Sequence, residues 1–397
     1  MRTKVKLKGG ISLIVLVITI IVMIILAAAI ILSLSNSGII GKANKAKTDT
    51  NISNAKDLVA MAHADWMLDE VKIKENDNTI TSFSNYAEKK LQEAGYKVGA
   101  GEGAYTVTED GEVYTGLTET ARTAVTSGIK IGDEVKYSAV LTAKSTPTDG
   151  SEQSATGAAD NAKKQTVKTN TSYTWKYIGL GEDGSLLIAP DMTGAIGADY
   201  KLTLRDKGGF LNGPKMLNTV CDALYTVAGK GKAQSMNIEL VNKLLEYNGP
   251  KGMYYDARGI QVETAEPKTI GETGLVSSLG SNTQTPDGKE ISTYKIDYYS
   301  IAKKGKASRI TKDTVRQNLV YQENEYWLAS PCVWANVDFG CAFFFVRYVI
   351  SSDVNTVSMF YSDGGSDSYT CVIRPYVSLI SNVQKTTENG KTVWTLS

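Results

Sequence analysis

Histidine is almost absent from this sequence of 397 residues, because His63 is the only one. Catalysis by a histidine base beside a nucleophile would have to use that residue, and a histidine-rich metal site is excluded. The sequence contains only 8 prolines, which excludes a long proline-rich stalk. Its 4 cysteines are too few for a disulfide scaffold in a chain of this length.

A charge excess of either sign is missing as well, since 43 basic and 42 acidic residues leave a net charge of +1. Charge alone therefore indicates no nucleic-acid partner, and we predict none. The sequence has no phosphate-binding GxxxxGKS/T motif, and its S-x-x-K tetrads lack the companion motifs of a serine acyltransferase. We accordingly predict that the protein is not an enzyme and that it binds no cofactor and no metal.

The N-terminal part of the chain has the pattern of a membrane anchor. Residues 1–10 form a basic leader, and Ile11–Leu34 is apolar except for three serine or threonine residues. As a helix this apolar run would extend about 36 Å, enough to cross a bilayer. We therefore predict a transmembrane helix over residues 11–35, a cytoplasmic N-terminus and a C-terminal domain on the outside of the cell membrane.

The junction between leader and helix, KGG followed by ISLIVLVITI, resembles the processing site of type IV pilin-like proteins. The resemblance extends to about residue 65 and implies cleavage between Gly10 and Ile11 by a prepilin peptidase. Proteins of that family usually have glutamate at the fifth position after the cut, where this chain has Val15. That difference counts against assembly into a pilus-like filament and leaves membrane anchoring intact. An ordinary single-pass anchor is the alternative.

A second helix is predicted after the helix-breaking sequence SNSG. Apolar residues recur there every three or four positions, so we predict an amphipathic juxtamembrane helix over residues 36–72, with Asp49 or Thr50 as its cap. The apolar stripe consists of Ile52, Ala55, Val59, Ala62 and Trp66. This helix resembles the outer half of a pilin helix, which packs on a globular head, and a plain juxtamembrane helix is the alternative.

The rest of the chain is divided by composition. We predict a small α/β connector over residues 73–127, a larger domain over residues 128–383 and a C-terminal tail over residues 384–397. A hairpin is expected in YTWKYIGLGEDGSLLIAPD, and helices in GPKMLNTVCDALYTVAG and SMNIELVNKLLEY. The polar stretch 142–172 is predicted to be a flexible insertion, and residues from Gly249 to Ser292 to be long loops of the kind that often carry binding.

Residues 331–372 have an unusual composition. Between Pro331 and Ile373 there is no Lys, Glu, Gln, His or Leu, whereas Phe, Tyr, Ser, Asp, Asn and Val are frequent and three of the four cysteines occur. Rigid aromatic side chains mixed with small polar ones are typical of antibody binding loops, and aromatic residues commonly anchor interfaces. The segment therefore indicates a binding surface.

The alternative is that the aromatic rings of this segment form a core. We expect this for Phe343, Phe345 and Phe360. A further set of rings is harder to bury together. This set contains Phe339, Phe344, Tyr348 and Tyr361.

The motifs YWLAS, VR, FYSDG and IRPYVSL resemble the C-terminal end of C-type-lectin-fold proteins of gut bacteria, many of which look like targets of diversity-generating retroelements. In such systems adenines are miscopied, so an Asn codon can become a codon for Phe, Tyr, Ser, Asp or Cys, but never for Lys, Glu or Gln. That chemistry implies a variable region over residues 331–372, in which Trp334 and Met359, unreachable from an Asn codon, are fixed by the template.

The same resemblance implies the fold. It predicts an α+β protein in which a pilin-like transmembrane helix precedes a C-type-lectin-like domain, similar to that of formylglycine-generating enzymes, with an antiparallel sheet and two helices. The first and last strands of this domain, GDEVKYS and VIRPYVSLI, would pair with each other, and Arg374 would belong to the scaffold. Calcium binding is not supported, because Asp363 and Asp367 have no ligand-dense loop around them.

We predict that the variable region presents a ligand-binding face to a protein or glycan outside the cell. The predicted face comprises Cys332, Trp334, Asn336, Asp338, Phe339, Cys341, Phe344, Tyr348, Ile350, Ser352, Asp353, Asn355, Tyr361, Asp363, Ser366, Asp367, Tyr369 and Thr370. The leading hypothesis is a membrane-anchored surface receptor. The alternative is a structural subunit of a pilus or pseudopilus, and a third hypothesis, a copper or redox enzyme using Cys332, Cys341 and Cys371, is disfavoured because Cys is an ordinary product of a changed Asn codon.

Overall fold

The computed structural model of the protein describes residues 39–138, 173–192, 201–297 and 308–397. These residues are mixed α and β, as the α+β prediction requires. They divide into two compact units, which are described separately below. Within the described residues no helix is long and apolar enough to cross a membrane.

Three predictions fall outside the described residues. They are the processing site at Gly10 and Ile11 within the leader, the transmembrane helix over residues 11–35 and the flexible insertion over residues 142–172.

The first unit contains the residues up to Tyr96 and Glu109–Val113. Its helix α1 spans Ile39–Asn76 and is interrupted at Asp69, whose backbone is not helical (φ −153°, ψ 53°). The Asp69 carboxylate accepts a hydrogen bond from the Lys72 amide at 3.2 Å, as the cap of a restarted helix does. The prediction of a start at Asp49 or Thr50 is wrong, because both residues lie inside a helix that is already formed at Ile39.

Helix α2, Phe83–Glu93, supplies the surface on which the predicted stripe of α1 packs. Four residues of the predicted stripe, Ala55, Val59, Ala62 and Trp66, are buried, whereas the fifth, Ile52, is only half-buried. The Trp66 ring lies 5.8 Å from the ring of Tyr86. The exposed side of α1 is polar for the most part but not throughout. Its exposed apolar side chains are Met61, Met67, Leu68 and Val71, so α1 is less amphipathic than the stripe alone indicated.

The second unit, Lys97–Thr108 and Tyr114–Ser397, is built around two large sheets. The first has seven strands in the order β17-β18-β3-β4-β5-β16-β7. Its strands are β3 (Glu134–Lys136), β4 (Trp175–Leu180), β5 (Leu186–Pro190), β7 (Gly231–Ser235), β16 (Pro375–Leu379), β17 (Val383–Glu388) and β18 (Lys391–Leu396). The predicted hairpin at residues 173–189 is confirmed as β4 and β5, which pair in antiparallel fashion.

The second large sheet has five strands in the order β14-β13-β12-β15-β6. Its strands are β6 (Lys201–Arg205), β12 (Tyr326–Asn336), β13 (Cys341–Val349), β14 (Val354–Tyr361) and β15 (Ser368–Val372). Strands β12, β13 and β14 pair in antiparallel fashion, whereas β12 pairs with β15 in parallel. The predicted antiparallel sheet is therefore partly mixed, and β18 also pairs with β3 in parallel.

Helices and short strands complete the second unit. Its helices are α3 (Glu119–Thr126), α4 (Asp206–Leu211), α5 (Gly213–Tyr225), α6 (Ile238–Leu244), α7 (Ile270–Thr273) and α8 (Thr314–Val320), with short 3-10 helices at Leu275–Leu279 and Ile291–Thr293. The shorter strands are β1 (Tyr105–Val107), β2 (Val113–Thr115, whose first residue is assigned to the first unit), β8 (Gly252–Tyr255), β9 (Gln261–Thr264), β10 (Lys268–Thr269) and β11 (Lys295–Ile296). The two predicted helices are confirmed as α5 and α6, and Cys221 of α5 is buried in the core.

The main core of the second unit joins both sheets to α3 and α5. Ala121 and Ala124 of α3 are fully buried in it, together with Trp175 of β4 and Phe344 of β13. The predicted domain boundary between residues 127 and 128 is therefore wrong, because α3 contributes to this core and belongs to the second unit.

Two further predictions about the ends of the second unit need correction. The strands in GDEVKYS and VIRPYVSLI do not pair, because β4 and β5 lie between β3 and β16. Residues 384–397 are not a tail: the hairpin of β17 and β18 pairs with β3 and places the fully buried Trp394 in the core. The Trp394 indole donates a hydrogen bond to Asp133 at 3.1 Å, which holds the hairpin to the start of β3.

Arg374 lies where the chain passes from the five-stranded sheet to the seven-stranded sheet. Its fully buried guanidinium donates hydrogen bonds to the Pro190 carbonyl oxygen at 3.1 Å and 3.3 Å and to the Tyr326 hydroxyl at 3.1 Å. The prediction that Arg374 is a scaffold residue is confirmed by these contacts, which hold the two sheets together at this point.

Candidate functional site: an aromatic face on the five-stranded sheet

Residues 331–372 contain the second half of β12 and the whole of β13, β14 and β15, four of the five strands of the second large sheet. Side chains alternate between the two faces of each strand. On β12 and β13 one set of alternating residues points into the core. This set contains Val333, Ala335, Ala342, Phe344 and Val346. The residues between them point to the opposite face, where the candidate site lies.

The opposite face carries a contiguous group of aromatic rings, here called the aromatic face, which consists of Trp334, Phe339, Phe343 and Tyr361. Trp334 and Tyr361 are each directly opposite Phe343 on neighbouring strands, and their rings lie 5.1 Å and 5.2 Å from its ring. Cross-strand aromatic pairs of this kind stabilise a sheet. All three of these rings remain partly exposed.

Phe339 extends the aromatic face beyond the end of the strands. It lies in the turn between β12 and β13, its side chain is 65% exposed, and its ring is 5.8 Å from the ring of Phe343. The group is bordered by Phe345, which stacks on Phe343 at 5.7 Å, and by Tyr255 of β8, which lies 6.1 Å from Trp334. A large exposed ring in contact with other rings is typical of an interaction surface.

The segment that follows α7 braces the two turns beside the aromatic face. The Asn282 side chain donates a hydrogen bond to the Gly340 carbonyl oxygen at 2.9 Å, in the turn between β12 and β13. Two residues later, the Gln284 amide donates to the Ser362 carbonyl oxygen at 3.0 Å, in the turn after β14. Gly340 (φ +55°) and Gly364 (φ +101°) adopt backbone conformations that favour glycine, which fixes the shape of each turn.

Carboxylates surround the aromatic face. Asp338 and Asp363 are exposed in the two turns, and Asp367 accepts a hydrogen bond from the Tyr361 hydroxyl. Burial and the Asp367 carboxylate raise the pKa of Tyr361. The phenol therefore remains protonated at neutral pH and keeps its role as a hydrogen-bond donor to Asp367.

Beyond the aromatic face, the ion pair of Arg347 and Asp297 covers the same side of the sheet. Arg347 is 1% exposed, and its guanidinium lies 3.2 Å from the Asp297 carboxylate and donates to the Pro331 carbonyl oxygen at 2.7 Å. Asp297 also accepts from the Val333 amide at 3.0 Å. This pair connects β12 and β13 to the end of β11, so this part of the face is scaffold, whereas the part around Phe343 is open.

Several predicted ligand-binding residues are buried and cannot contact an external ligand. They are Cys332, Asn336, Cys341, Phe344 and Tyr348. The physical reason is strand alternation for Phe344, whose ring packs 5.3 Å from Phe210 on the core side, and for Tyr348, which packs 6.1 Å from Trp327. The Asn336 side chain instead accepts a hydrogen bond from the Asp338 amide at 2.8 Å and so shapes the turn.

The remaining predicted residues fall into separate places. Exposed or partly exposed positions near the aromatic face are Trp334, Asp338, Phe339, Tyr361, Asp363, Ser366 and Asp367. Ile350, Ser352, Asp353 and Asn355 lie around the turn between β13 and β14, at the other end of β13, which is roughly 26 Å away at about 3.3 Å per residue. Tyr369 and Thr370 lie on β15, where their hydroxyls hydrogen-bond Glu325 and Thr203.

Sequence reasoning missed some residues of the site. Phe343 was assigned to the core, although it lies on the aromatic face and is only half-buried, and Phe344 was assigned to the surface. The two assignments are reversed, and strict alternation along CAFFFVRYV, with Ala342 and Val346 inside, would have corrected them. Tyr255 and Asn282 lie far upstream, where the prediction of long binding loops was the only signal.

The cysteines of the variable region have no features of a reactive site. All are free and buried. Burial raises the pKa of the Cys332 thiol to about 12, although the Arg347 cation opposes this shift, and burial also raises the pKa of Cys341 and Cys371. A thiol with a raised pKa is a poor nucleophile and a poor metal ligand at neutral pH. In the described residues no group of three or more His, Cys, Asp or Glu side chains could hold a metal ion.

Comparison of the chain with protein-family models, with curated proteins and with solved structures found no match. The functional proposal below therefore rests on the residues of the aromatic face and its surroundings.

Proposed function

We propose that the protein is a membrane-anchored binding protein of the cell surface that contacts a ligand outside the cell through the aromatic face. The observation that carries this proposal is the contiguity of four rings that remain accessible on a braced sheet. Large exposed aromatic groups with polar neighbours are characteristic of binding surfaces. The apolar N-terminal run supports the anchor, and the leader junction supports processing by a prepilin peptidase.

In the same proposal, the second unit is a C-type-lectin-like head whose aromatic face is diversified by a retroelement. The missing Lys, Glu and Gln between Pro331 and Ile373 support this origin. The buried ion pair of Arg347 with Asp297 and the hydrogen bond from Asn282 to Gly340 would keep the fold constant while exposed side chains change.

The decisive experiment is to sequence sister genes from related isolates together with the DNA beside them. We expect substitutions at Phe339, Phe343 and Tyr361 and near constancy at Phe344, because only the first three are accessible. A near-copy of the coding segment, differing mainly at adenines and adjoining a reverse-transcriptase gene, should be present. Equal variation at Phe343 and Phe344, or an invariant aromatic face, would contradict the proposal.

A structural subunit of a pilus or pseudopilus is a second candidate, and one observation favours it. Met61 and Leu68, which are seven residues apart in the part of α1 before the interruption at Asp69, are 66% and 85% exposed. Apolar side chains on one side of a long helix can pack against helices of neighbouring subunits. Isolation of intact surface filaments that contain this chain would favour the subunit, whereas its recovery only as a membrane-bound monomer would favour the receptor.

A further inference from the structure

The charges of the variable region are strongly one-sided at its surface. Residues 331–372 contain a single base, Arg347, which is 1% exposed and paired with Asp297. The acids of the segment are Asp338, Asp353, Asp363 and Asp367, and all of them are exposed or partly exposed. Every accessible charge that the segment offers to a ligand is therefore a carboxylate.

Three of these carboxylates adjoin the rings of the aromatic face. Asp338 directly precedes Phe339, Asp363 lies in the turn that follows Tyr361, and Asp367 accepts the Tyr361 hydroxyl hydrogen bond. In the part of the chain that the structure describes, no ion pair joins Asp338, Asp363 or Asp367 to a basic side chain. Their negative charge is consequently available to a ligand.

Aromatic rings and carboxylates attract the same kind of group. The face of a Trp, Tyr or Phe ring attracts a cation, with Trp the strongest of the three, and the effect grows when the cation is desolvated. A guanidinium combines this attraction with paired hydrogen bonds to carboxylate, which an ammonium does less well. An anionic ligand would instead be repelled by the three carboxylates.

We propose that the aromatic face binds a protein segment that presents arginine or lysine side chains, with arginine preferred. This inference rests on the proposed function and specifies its ligand class. The cationic groups lie on the rings of Trp334 and Phe343, and Asp338, Asp363 and Asp367 neutralise them. Binding is therefore weakened by salt.

The experiment uses the full chain in detergent micelles and a fluorescent peptide of glycine and serine that carries spaced arginines. A peptide of the same length with citrulline in place of arginine has the same shape without the charge. We expect the arginine peptide to bind about ten-fold more tightly than the citrulline peptide, and the lysine peptide to be intermediate. Fluorescence anisotropy at low and high salt measures each affinity.

The variant Asp338→Asn/Asp363→Asn/Asp367→Asn removes charge but keeps an acceptor oxygen for the Gly365 amide and the Tyr361 hydroxyl. We expect it to lose about ten-fold in affinity for the arginine peptide and most of its salt dependence. The matched control is Glu182→Gln/Glu239→Gln/Glu246→Gln, which changes net charge equally at exposed acids outside the variable region and should bind as the wild type does. Circular dichroism checks that both variants are folded.

Two results would overturn the inference without touching the proposed function. One is that the arginine and citrulline peptides bind with equal affinity, or that the triple Asp→Asn variant binds the arginine peptide as tightly as the wild type does. The other is binding of neutral oligosaccharides that needs Phe339 and Phe343 but is indifferent to that change, which would make the ligand a glycan. The proposed function fails separately, if sister genes are invariant across the aromatic face.

Discussion

Phe343 and Phe344 are neighbours in the sequence, but their rings lie on opposite faces of β13. Phe344 is fully buried between Phe210 and Tyr294, at ring distances of 5.3 Å and 5.0 Å. Phe343 is half-buried and touches the rings of Trp334 and Tyr361 on the open side. The comparison shows that the position of a residue in the alternation of a strand, and not its type, decides which ring holds the fold and which is available to a partner.

The comparison is tested most directly by truncating each ring. Phe344→Ala should lower the free energy of unfolding by about 3–5 kcal/mol, because it removes a fully buried ring and leaves a cavity. Phe343→Ala should lower it by about 1 kcal/mol, the value of cross-strand contacts that remain partly solvated. Urea denaturation of the full chain in detergent, followed by tryptophan fluorescence, measures both changes.

Ile380→Ala is a suitable control for that pair, because this side chain is 63% exposed in the second unit and lies outside the variable region. Its free energy of unfolding should stay close to that of the wild type. If Phe343→Ala destabilised the protein as much as Phe344→Ala, the two faces would be equivalent and the distinction between scaffold and site would be lost.

A smaller effect on stability is expected at Cys332, in the part of the sheet that the ion pair of Arg347 and Asp297 covers. The Cys332 thiol is buried beside Arg347, and its pKa is raised from 9.0 to about 12. A thiol whose pKa is higher in the folded than in the unfolded state contributes to the stability of the fold. This contribution is complete below pH 9 and is lost as the pH rises to 12. Between pH 8 and pH 10.5, the free energy of unfolding of the wild type should therefore fall by about 2 kcal/mol more than that of Cys332→Ala.

Tyrosine ionisation in this pH range affects the wild type and Cys332→Ala alike, so the difference between them isolates the thiol. Iodoacetamide at pH 8 should also label Cys332 only after unfolding. Rapid labelling of the folded protein would show an accessible thiolate and would revive the redox hypothesis.

The smallest effect on stability is expected at Asn282, which braces the turn between β12 and β13 beside the aromatic face. Asn282→Ala removes the hydrogen bond to the Gly340 carbonyl oxygen and should lower the free energy of unfolding by about 1 kcal/mol. Hydrogen exchange should become faster in the turn between β12 and β13 and remain unchanged in β16. Asn282→Asp, which cannot donate this hydrogen bond, should behave as Asn282→Ala does; wild-type exchange in both variants would exclude a bracing role.

Local patterns predicted the elements that depend on local physics. The stripe from Ala55 to Trp66 has helical spacing, and its burial followed from that spacing alone. Pro214 lies near the start of α5, and the Asn237 side chain caps α6 by accepting a hydrogen bond from the Leu240 amide at 2.8 Å, so local residue preferences agree with both helix starts. The hairpin of β4 and β5 needed no more than strand propensity and a glycine turn, whereas the α+β class was implied by the resemblance.

Such local patterns did not predict which strands pair when they are far apart in the sequence. The Asn389-Gly390 pair, in which both residues have positive φ, is a local signal for the hairpin of β17 and β18 that the tail prediction overlooked. Its pairing with β3, more than 240 residues earlier at Glu134–Lys136, has no such local signal. The face on which Phe343 or Phe344 lies depends on the register with β12 and β14, and a shift of one residue would exchange them. Asp297, the partner of Arg347, lies outside residues 331–372, the segment of unusual composition.

The position of β18 has a consequence for biosynthesis. The strand fills the gap between β17 and β3, so β3 keeps one open edge until residues 391–396 emerge from the ribosome. A nascent chain that already contains residues 331–372 would still carry an unpaired strand near Glu134, and unpaired edges invite association with other chains. Translation that pauses late, or a protease that trims the last residues, would release polypeptides that contain the whole aromatic face but lack the strand that joins β17 to β3.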